Sequence, residues 1–361
     1  KLNWSTLTDN VTIENGSKMY CRGLNPNGIS GGYGESGYNY FTGEGKFNVS
    51  GNIMSIIDYE NTPETMVGTF YNLFGRIEDD YVDIVDASGL ILSAKVLAVD
   101  CYQGMFDGCS KLETVILSNN ITSLNFCDGY TDDKCGFFEG CSSLTSITIP
   151  NSITSIGEET FKDCSSLTSI TIPNSITGIG EEAFKGCSNL TSVVWNAKNC
   201  SDFEEGSSAP FYSINDNITS FTFGDSVEHI PAYLCSGQGE LTSIIIPNSV
   251  RNIGSYAFMN CSSLTSVTIG NSVTGIGSYA FQGCSSLTSV TIPNRVTSIG
   301  NSAFDGCSSL TSITIPNSVK SIGSYVFENC SSLDSVMIGN GVTKIGSSVF
   351  NDCPFLSYIV V

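Results

Sequence analysis

Positive charge and histidine are scarce in this sequence. Its 361 residues include 15 lysines and arginines against 35 aspartates and glutamates, a formal net charge of −20. Without a surplus of Lys and Arg to neutralise phosphates, the chain is not expected to bind nucleic acid or anionic membrane surfaces. The single histidine, His229, excludes paired-histidine catalysis and argues against most histidine-built metal sites.

Long apolar runs are also missing. No run approaches the roughly 20 residues that a transmembrane helix needs, so we predict no membrane insertion. Charged residues make up 14% of the chain, but the hydrophobic fraction of 40% is too high for disorder. The sequence begins at Lys1 with neither a methionine nor a signal-peptide core, as expected of a trimmed or mature chain.

A 23-residue repeat occupies most of the chain. Phe161–Ala183 reads FKDCSSLTSITIPNSITGIGEEA. Near copies start at Phe138, Phe258, Phe281, Phe304 and Phe327, and degenerate ones at Phe106, Phe184, Tyr212, near Leu234 and at Phe350. The array therefore has about eleven units, and a period of this length is typical of a solenoid.

One repeat unit predicts its own geometry. Ile170 and Ile172 are two residues apart, which indicates a strand with one buried face. Pro173 ends this strand. A second extended segment then places Ile179 inward, and Glu181–Phe184 has the composition of one helical turn. Equivalent strands would stack in parallel about 4.8 Å apart. Because one unit buries too little apolar surface to be stable alone, we expect collective stability.

The pattern C-S-S-L-T-S-I-T-I-P-N-S-V-x-x-I-G-x-x-A-F resembles the BspA-like leucine-rich repeats of surface proteins from host-associated microbes. The resemblance covers about 106–361, and Cys101–Phe106 and Gly51–Ser55 resemble the N-terminal region of the same proteins. It implies a leucine-rich-repeat solenoid, a parallel β-sheet with short extended and helical-turn segments. It also implies an exported protein, extracellular or at the cell surface, often associated with adhesion and without catalytic residues.

Three regions are predicted along the chain. Residues 1–75 lack the repeat and alternate at Phe47 and Val49, which indicates a small β-rich N-terminal domain. Residues 76–105 form a junction or N-terminal cap, and 106–361 form the solenoid. Insertions near 125–135 and 196–210 depart from the repeat.

Cysteines recur with the same period, on one corner of successive coils. We expect a column of small buried thiols, each a weak donor to a turn carbonyl, with a disulfide ladder as the alternative. Paired C-x₂₋₄-C knuckles are absent from the sequence, so we predict no metal site and no cofactor.

The cysteines outside the 23-residue period have no single predicted role. Cys127 and Cys135 flank an acidic insertion, which is compatible with a disulfide at its base, with a calcium site or with a plain solvated loop. Cys21, Cys101, Cys200 and Cys235 have no readable partner. His229 should face solvent, and catalysis with Cys235 lacks an oriented base, so we predict no enzyme.

The outward face of the main sheet is the first candidate binding surface. It carries a column of threonines: Thr148, Thr171, Thr268, Thr291 and Thr314. Five apolar residues interrupt the Ser/Thr pattern around the irregular units: Val194, Trp195, Phe221, Phe223 and Ile245. The alternatives are that threonine simply suits a sheet surface, and that Trp195 and Phe221 replace core isoleucines.

A second candidate is a tyrosine row at the corner, Tyr256, Tyr279 and Tyr325, as a sugar-stacking or protein-contact strip, with simple surface packing as the alternative. The expected function is binding or adhesion toward a host or matrix protein or a glycan. A structural spacer with no ligand of its own is the alternative. The last copy stops inside its strand at Tyr358–Val361, and this edge predicts weak self-association.

Overall fold

The structure, a computed structural model, describes residues 47–52, 84–91, 105–117, 119, 121–124 and 136–361. Within them the chain winds in stacked coils. A regular coil of 23 residues has a first strand, a Pro-Asn or Gly-Asn turn, a second strand and a corner made of consecutive turns. Two 3-10 segments, Gly206–Ser208 and Tyr212–Ile214, are the helical elements in this part of the chain.

First strands of neighbouring coils pair in parallel, in sheets of three strands each. Between regular coils the register shifts by 23 residues, so that Ser243 lies beside Ser266 and Ile244 beside Val267. The strands are Phe47–Asn52, Ile84–Ile91, Thr114–Val115, Ser169–Ile172, Ser192–Trp195, Ser220–Phe223, Ser243–Ile246, Ser266–Ile269, Ser289–Val290, Ser312–Ile315, Ser335–Ile338 and Tyr358–Val360.

Second strands are two residues long. Six of them form one continuous parallel sheet, and three form another. The six are His229–Ile230, Asn252–Ile253, Gly275–Ile276, Ser298–Ile299, Ser321–Ile322 and Lys344–Ile345, and the three are Ser123–Leu124, Ser155–Ile156 and Gly178–Ile179.

Burial alternates along the first strand as the sequence predicts. In Ser169–Ile172, Ile170 and Ile172 are buried while Thr171 is exposed, and Ser312–Ile315 repeats the pattern. The second strand buries Ile179, and the corner buries Ala183 and Phe184. The predicted fold class, a parallel leucine-rich-repeat solenoid, is confirmed.

The corner is built from left-handed residues rather than from a turn of α-helix. Glu182 has a φ of 52° and Tyr279 one of 59°, at the same place in their coils. A second left-handed position precedes the cysteine, where Gly186 has a φ of 72° and Asn260 one of 58°. Gly, Asn and Asp recur at this second position because they adopt positive φ at the least cost.

A stack of phenylalanine rings runs through the core. Phe258 and Phe281 are 5.2 Å apart, and the stack continues to Phe350. It is interrupted at Cys235, whose N–H donates to Ala257 as that of Phe258 donates to Ala280. Two rings from first strands, Phe221 and Phe223, fill the gap between Phe211 and Phe258.

The parallel sheet crosses the boundary predicted at residue 75. Phe47–Asn52 pairs with Ile84–Ile91, which pairs in turn with Thr114–Val115 of the repeat region. Strands that the sequence assigns to three regions thus share one sheet. The domain limits themselves stay a prediction, because most of residues 1–104 lie outside the described part of the chain.

Candidate binding surface

The cysteine column is a structural device. In regular coils the thiol donates to the carbonyl oxygen of the phenylalanine one coil earlier, as in Cys164 Sγ to Phe138 O at 3.1 Å and Cys284 Sγ to Phe258 O at 3.2 Å. Cys261 donates in the same way to Cys235 O at 3.1 Å, because Cys235 replaces that phenylalanine. The cysteines from Cys141 to Cys353 are all free thiols. The predicted column of donor thiols is confirmed, and a disulfide ladder is not formed there.

Burial also makes these thiols unreactive. Desolvation raises the pKa of Cys261 and of Cys330 to about 12. A thiol with so high a pKa stays protonated at neutral pH and is a poor nucleophile and metal ligand.

Gln238 replaces a cysteine where the repeat is irregular. Its Nε2 donates to Phe211 O at 3.0 Å, which is the bond a thiol makes in regular coils. Cys235 lies instead in the phenylalanine stack and, like Cys200, is free and buried. Cys21, Cys101, Cys127 and Cys135, with the proposed calcium loop, lie outside the described residues.

His229 fastens the insertion at 196–210 to the second strand. Its Nε2 lies 2.7 Å from Asp202 Oδ1, which also accepts from the N–H of Ala232 at 2.8 Å. Desolvation opposes ionisation of Asp202, but these two hydrogen bonds outweigh it and lower the pKa of the carboxyl. The pair explains the histidine without any catalytic role.

The described ranges contain neither a metal-ligand cluster nor a membrane-spanning helix. No three His, Cys, Asp or Glu side chains converge there as they would around a metal ion. None of the helical segments in the same ranges has the length and hydropathy to cross a bilayer.

The outward threonine column is solvent-exposed, as predicted for Thr148, Thr171, Thr268, Thr291 and Thr314. Other threonine columns serve the fold: Thr177 Oγ1 donates to Thr154 O at 3.1 Å, and Thr265 Oγ1 to Thr242 O at 3.0 Å. In the described part of the chain the outward column makes no such bond, so its hydroxyls are free for a ligand.

Three of the expected surface residues are in the core. Trp195, Phe221 and Phe223 occupy the inward positions of their strands and are 0%, 5% and 6% exposed. The prediction that they form part of a surface patch was wrong, because each replaces a core isoleucine in a widened irregular coil. Val194 and Ile245 do face outward, and Ile245 is 70% exposed.

The same outward column contains residues that the sequence analysis did not single out. Thr222 lies beside Val194, Met337 lies beside Thr314, and Ile116 falls on the same face of Thr114–Val115. Met337 and Ile116 are 54% and 61% exposed. The repeat would have given Met337 by alignment with Thr314. We call the solvent-facing side of the first strands, from Ile116 to Met337, the sheet face.

The tyrosine row includes Tyr233, which the sequence analysis missed. Tyr233, Tyr256 and Tyr279 stack face to face, with ring centroids 4.5 Å and 4.6 Å apart. Ser302 separates this stack from Tyr325. Because stacked rings cover one another's faces, the row offers mainly edges to a ligand, which disfavours sugar stacking.

The family is decided by a match along the repeats. The model of the BspA type leucine rich repeat region matches residues 134–238 and 228–357, with six copies. The chain belongs to the BspA-type leucine-rich-repeat family. Repeats of this type are in general non-enzymatic scaffolds whose extended surfaces bind proteins.

Solved leucine-rich-repeat proteins resemble this BspA-type chain. One from Bacteroides ovatus is 26% identical, over 82% of this chain and 85% of the other, with a TM-score of 0.42. A leucine-rich cell surface protein from Faecalibacterium prausnitzii is also 26% identical, over 69% and 79%, with a TM-score of 0.34. Among curated proteins, none matches.

Proposed function

We propose that this chain is a binding module displayed outside the cell, and that its sheet face contacts a host or matrix protein or a glycan. The observation that carries the proposal is the contrast between threonine columns. Hydroxyls elsewhere bond to the preceding coil, whereas those of the sheet face stay free beside exposed Ile245. Cell-surface location rests on the family, whose repeats resemble those of surface proteins.

The chemistry of the sheet face suits a protein partner. Free hydroxyls alternate with exposed apolar side chains at Ile245 and Met337 and with half-buried Val194. Protein interfaces combine apolar anchors with hydrogen-bonding neighbours in this way. Parallel strands also make the surface long and regular, which suits an extended partner.

The test is binding to an array of matrix proteins and glycans. The face variant, Val194→Glu with Ile245→Glu, should weaken any hit at least about tenfold, because it places buried charge in the interface. A corner control variant, Lys185→Gln with Met259→Glu, makes the same change in net charge away from the face. The glutamine and glutamate that this control introduces occur naturally at the same repeat position in other coils, as Gln282 and Glu328. Equal loss in both variants would contradict recognition by the sheet face.

A structural spacer is the second candidate function. The near-identity of successive coils favours it, since a repeated surface presents little chemical variety. A wild-type chain that binds nothing on the array would support the spacer and exclude the binding module.

We also propose weak self-association through the strand Tyr358–Val360. One edge of this strand pairs with Ser335–Ile338. Tyr358, Ile359 and Val360 are at least half exposed, and exposed strand edges pair with other chains. Light scattering should give a mass that rises with concentration in the wild type and not in Ile359→Lys. A monomeric mass at high concentration would dismiss the idea.

A further inference from the structure

Cations are segregated within the coils. Residues 136–361 contain seven lysines and arginines, of which Lys162 and Lys185 lie at the corner and pair with Glu159 and Glu182. The other five lie on the turn after the first strand or at the start of the second strand. We call this surface the basic edge, and its cations are Lys198, Arg251, Arg295, Lys320 and Lys344.

Carboxylates are missing from most of the basic edge. Five successive turns contain none: 247–252, 270–275, 293–298, 316–321 and 339–344. At the other end of the edge, Lys198 is neutralised by Glu228, whose Oε1 lies 3.2 Å from Nζ. The basic edge therefore carries positive charge on a protein that is acidic as a whole.

Two arginines on this strip have no ionic partner within the described residues. Arg251 and Arg295 are exposed and lie two coils apart, about 10 Å at the spacing of parallel strands. They line one groove of about 380 Å³, together with Asn248, Ser272 and Thr274. Guanidinium groups bind sulfate and carboxylate in forked geometry, so the groove suits anionic groups spaced along the coil axis.

The lining also narrows the class of ligand. Every residue around the groove is charged, hydroxylic or an amide, and Asp225 and Glu228 close one end. A protein partner would call for apolar or aromatic anchors, and single-stranded nucleic acid for stacking rings, and the groove has neither. Hydroxyls and amides flanked by cations match the alternating hydroxyls and anionic groups of a polysaccharide.

We infer that the basic edge binds a linear anionic polysaccharide, which lies along the stacking axis from Arg251 to Lys344. Four coil spacings separate these residues, about 19 Å. Screening confines the attraction to about 8–10 Å at physiological salt, so the acidic corner neither cancels it nor adds to it. The inference rests on the proposed binding function and names a ligand class for a surface other than the sheet face.

The variant that tests it restores the repeat pattern. Arg251→Thr matches Thr274 and Thr297, and Arg295→Ser matches Ser249 and Ser272, so both substitutions use residues that fold at the same position. We call this pair the edge variant. The corner control variant again makes the same change in net charge elsewhere.

Binding to heparin, to desulfated heparin and to poly(dT) is measured between 50 and 150 mM salt. The wild type and the corner control should bind heparin, more weakly as salt rises, and the edge variant at least about tenfold more weakly. Desulfated heparin, which keeps its carboxylates, should bind less tightly and show the same order of variants.

Three outcomes overturn the inference. They are no heparin binding by the wild type, equal loss in the edge and corner variants, and poly(dT) binding as tight as heparin. A wild type that binds a matrix protein through the sheet face but not heparin would refute the basic edge alone. A chain that binds neither would refute both proposals.

Discussion

At the scale of single residues, the buried cysteine of each coil shows how a side chain suits one position of the repeat. The thiol is small enough for the space between coils and reaches the carbonyl oxygen of the preceding coil, as Cys307 does toward Phe281 at 3.3 Å. Gln238 makes the same bond to Phe211 O with a larger amide, in the coil where Cys235 replaces the phenylalanine of the stack. The position requires a donor, and cysteine provides it with the least polar surface.

Buried thiols predict a loss of stability in alkali. Their folded pKa lies above the ordinary value of 9.0, and for Cys187 it is about 12. Between these pH values the unfolded chain loses thiol protons that the folded chain retains, so the free energy of unfolding falls as pH rises. The contribution of the thiols to stability is fully present below about pH 9. Each thiol contributes about 1.4 kcal/mol per pH unit.

Guanidinium unfolding under reducing conditions at pH 8, 9 and 10 measures this dependence. Cys284→Ala, which removes one such thiol, should lose less stability than the wild type between pH 9 and 10. It should also cost about 1–2 kcal/mol at pH 8. A pH dependence identical in the two proteins would mean that this thiol is not desolvated.

At the scale of the elements, the contact distance between coils decides which glycines are essential. A Cβ on Gly277 would lie 2.6 Å from the backbone of Gly254 and Ser255 in the preceding coil. A Cβ on Gly275, two residues earlier, would come no closer than 3.5 Å to any atom. One glycine therefore sets the coil spacing, while the other is replaceable.

Gly277→Ala should reduce the free energy of unfolding by about 1–3 kcal/mol, because neighbouring coils must separate to admit the methyl group. Gly275→Ser, which matches Ser298 and Ser321 in later coils, is the control and should change it by less than about 0.5 kcal/mol. Denaturant midpoints report both. Equal effects would show that the coils are not in backbone contact at Gly277.

The sequence predicts the regular coil well, because period 2 and period 23 act together there. Ile170 and Ile172 inside with Thr171 outside follows from alternation alone. The same alternation places Trp195 inward, since it pairs with Ile172 in register, and it was the aromatic side chain that suggested a surface. The insertion that follows supplies a core residue that no repeat position predicts, Phe203. Likewise the sequence does not predict the left-handed φ of Glu182, because glutamate is common in helices. Contacts with adjacent coils hold the strained backbone in place.

At the scale of the whole molecule, stability and recognition both come from repetition. Each coil covers the apolar face of its neighbour, so no coil is stable without the next. The same stacking brings side chains from distant parts of the sequence into columns, which creates the sheet face and the basic edge. A ligand of either surface would span several coils, and local unfolding would therefore remove the binding surface.

Hydrogen exchange in Leu287→Asp shows whether the coils are stable only as a stack. Leu287 is fully buried, and an unpaired charge there is severely unfavourable. We expect lost amide protection in several coils on both sides of Leu287, with protection kept near Phe161–Ala183. The control Thr291→Ser, on the sheet face, should change protection very little. Loss confined to the coil of Leu287 would contradict collective stability.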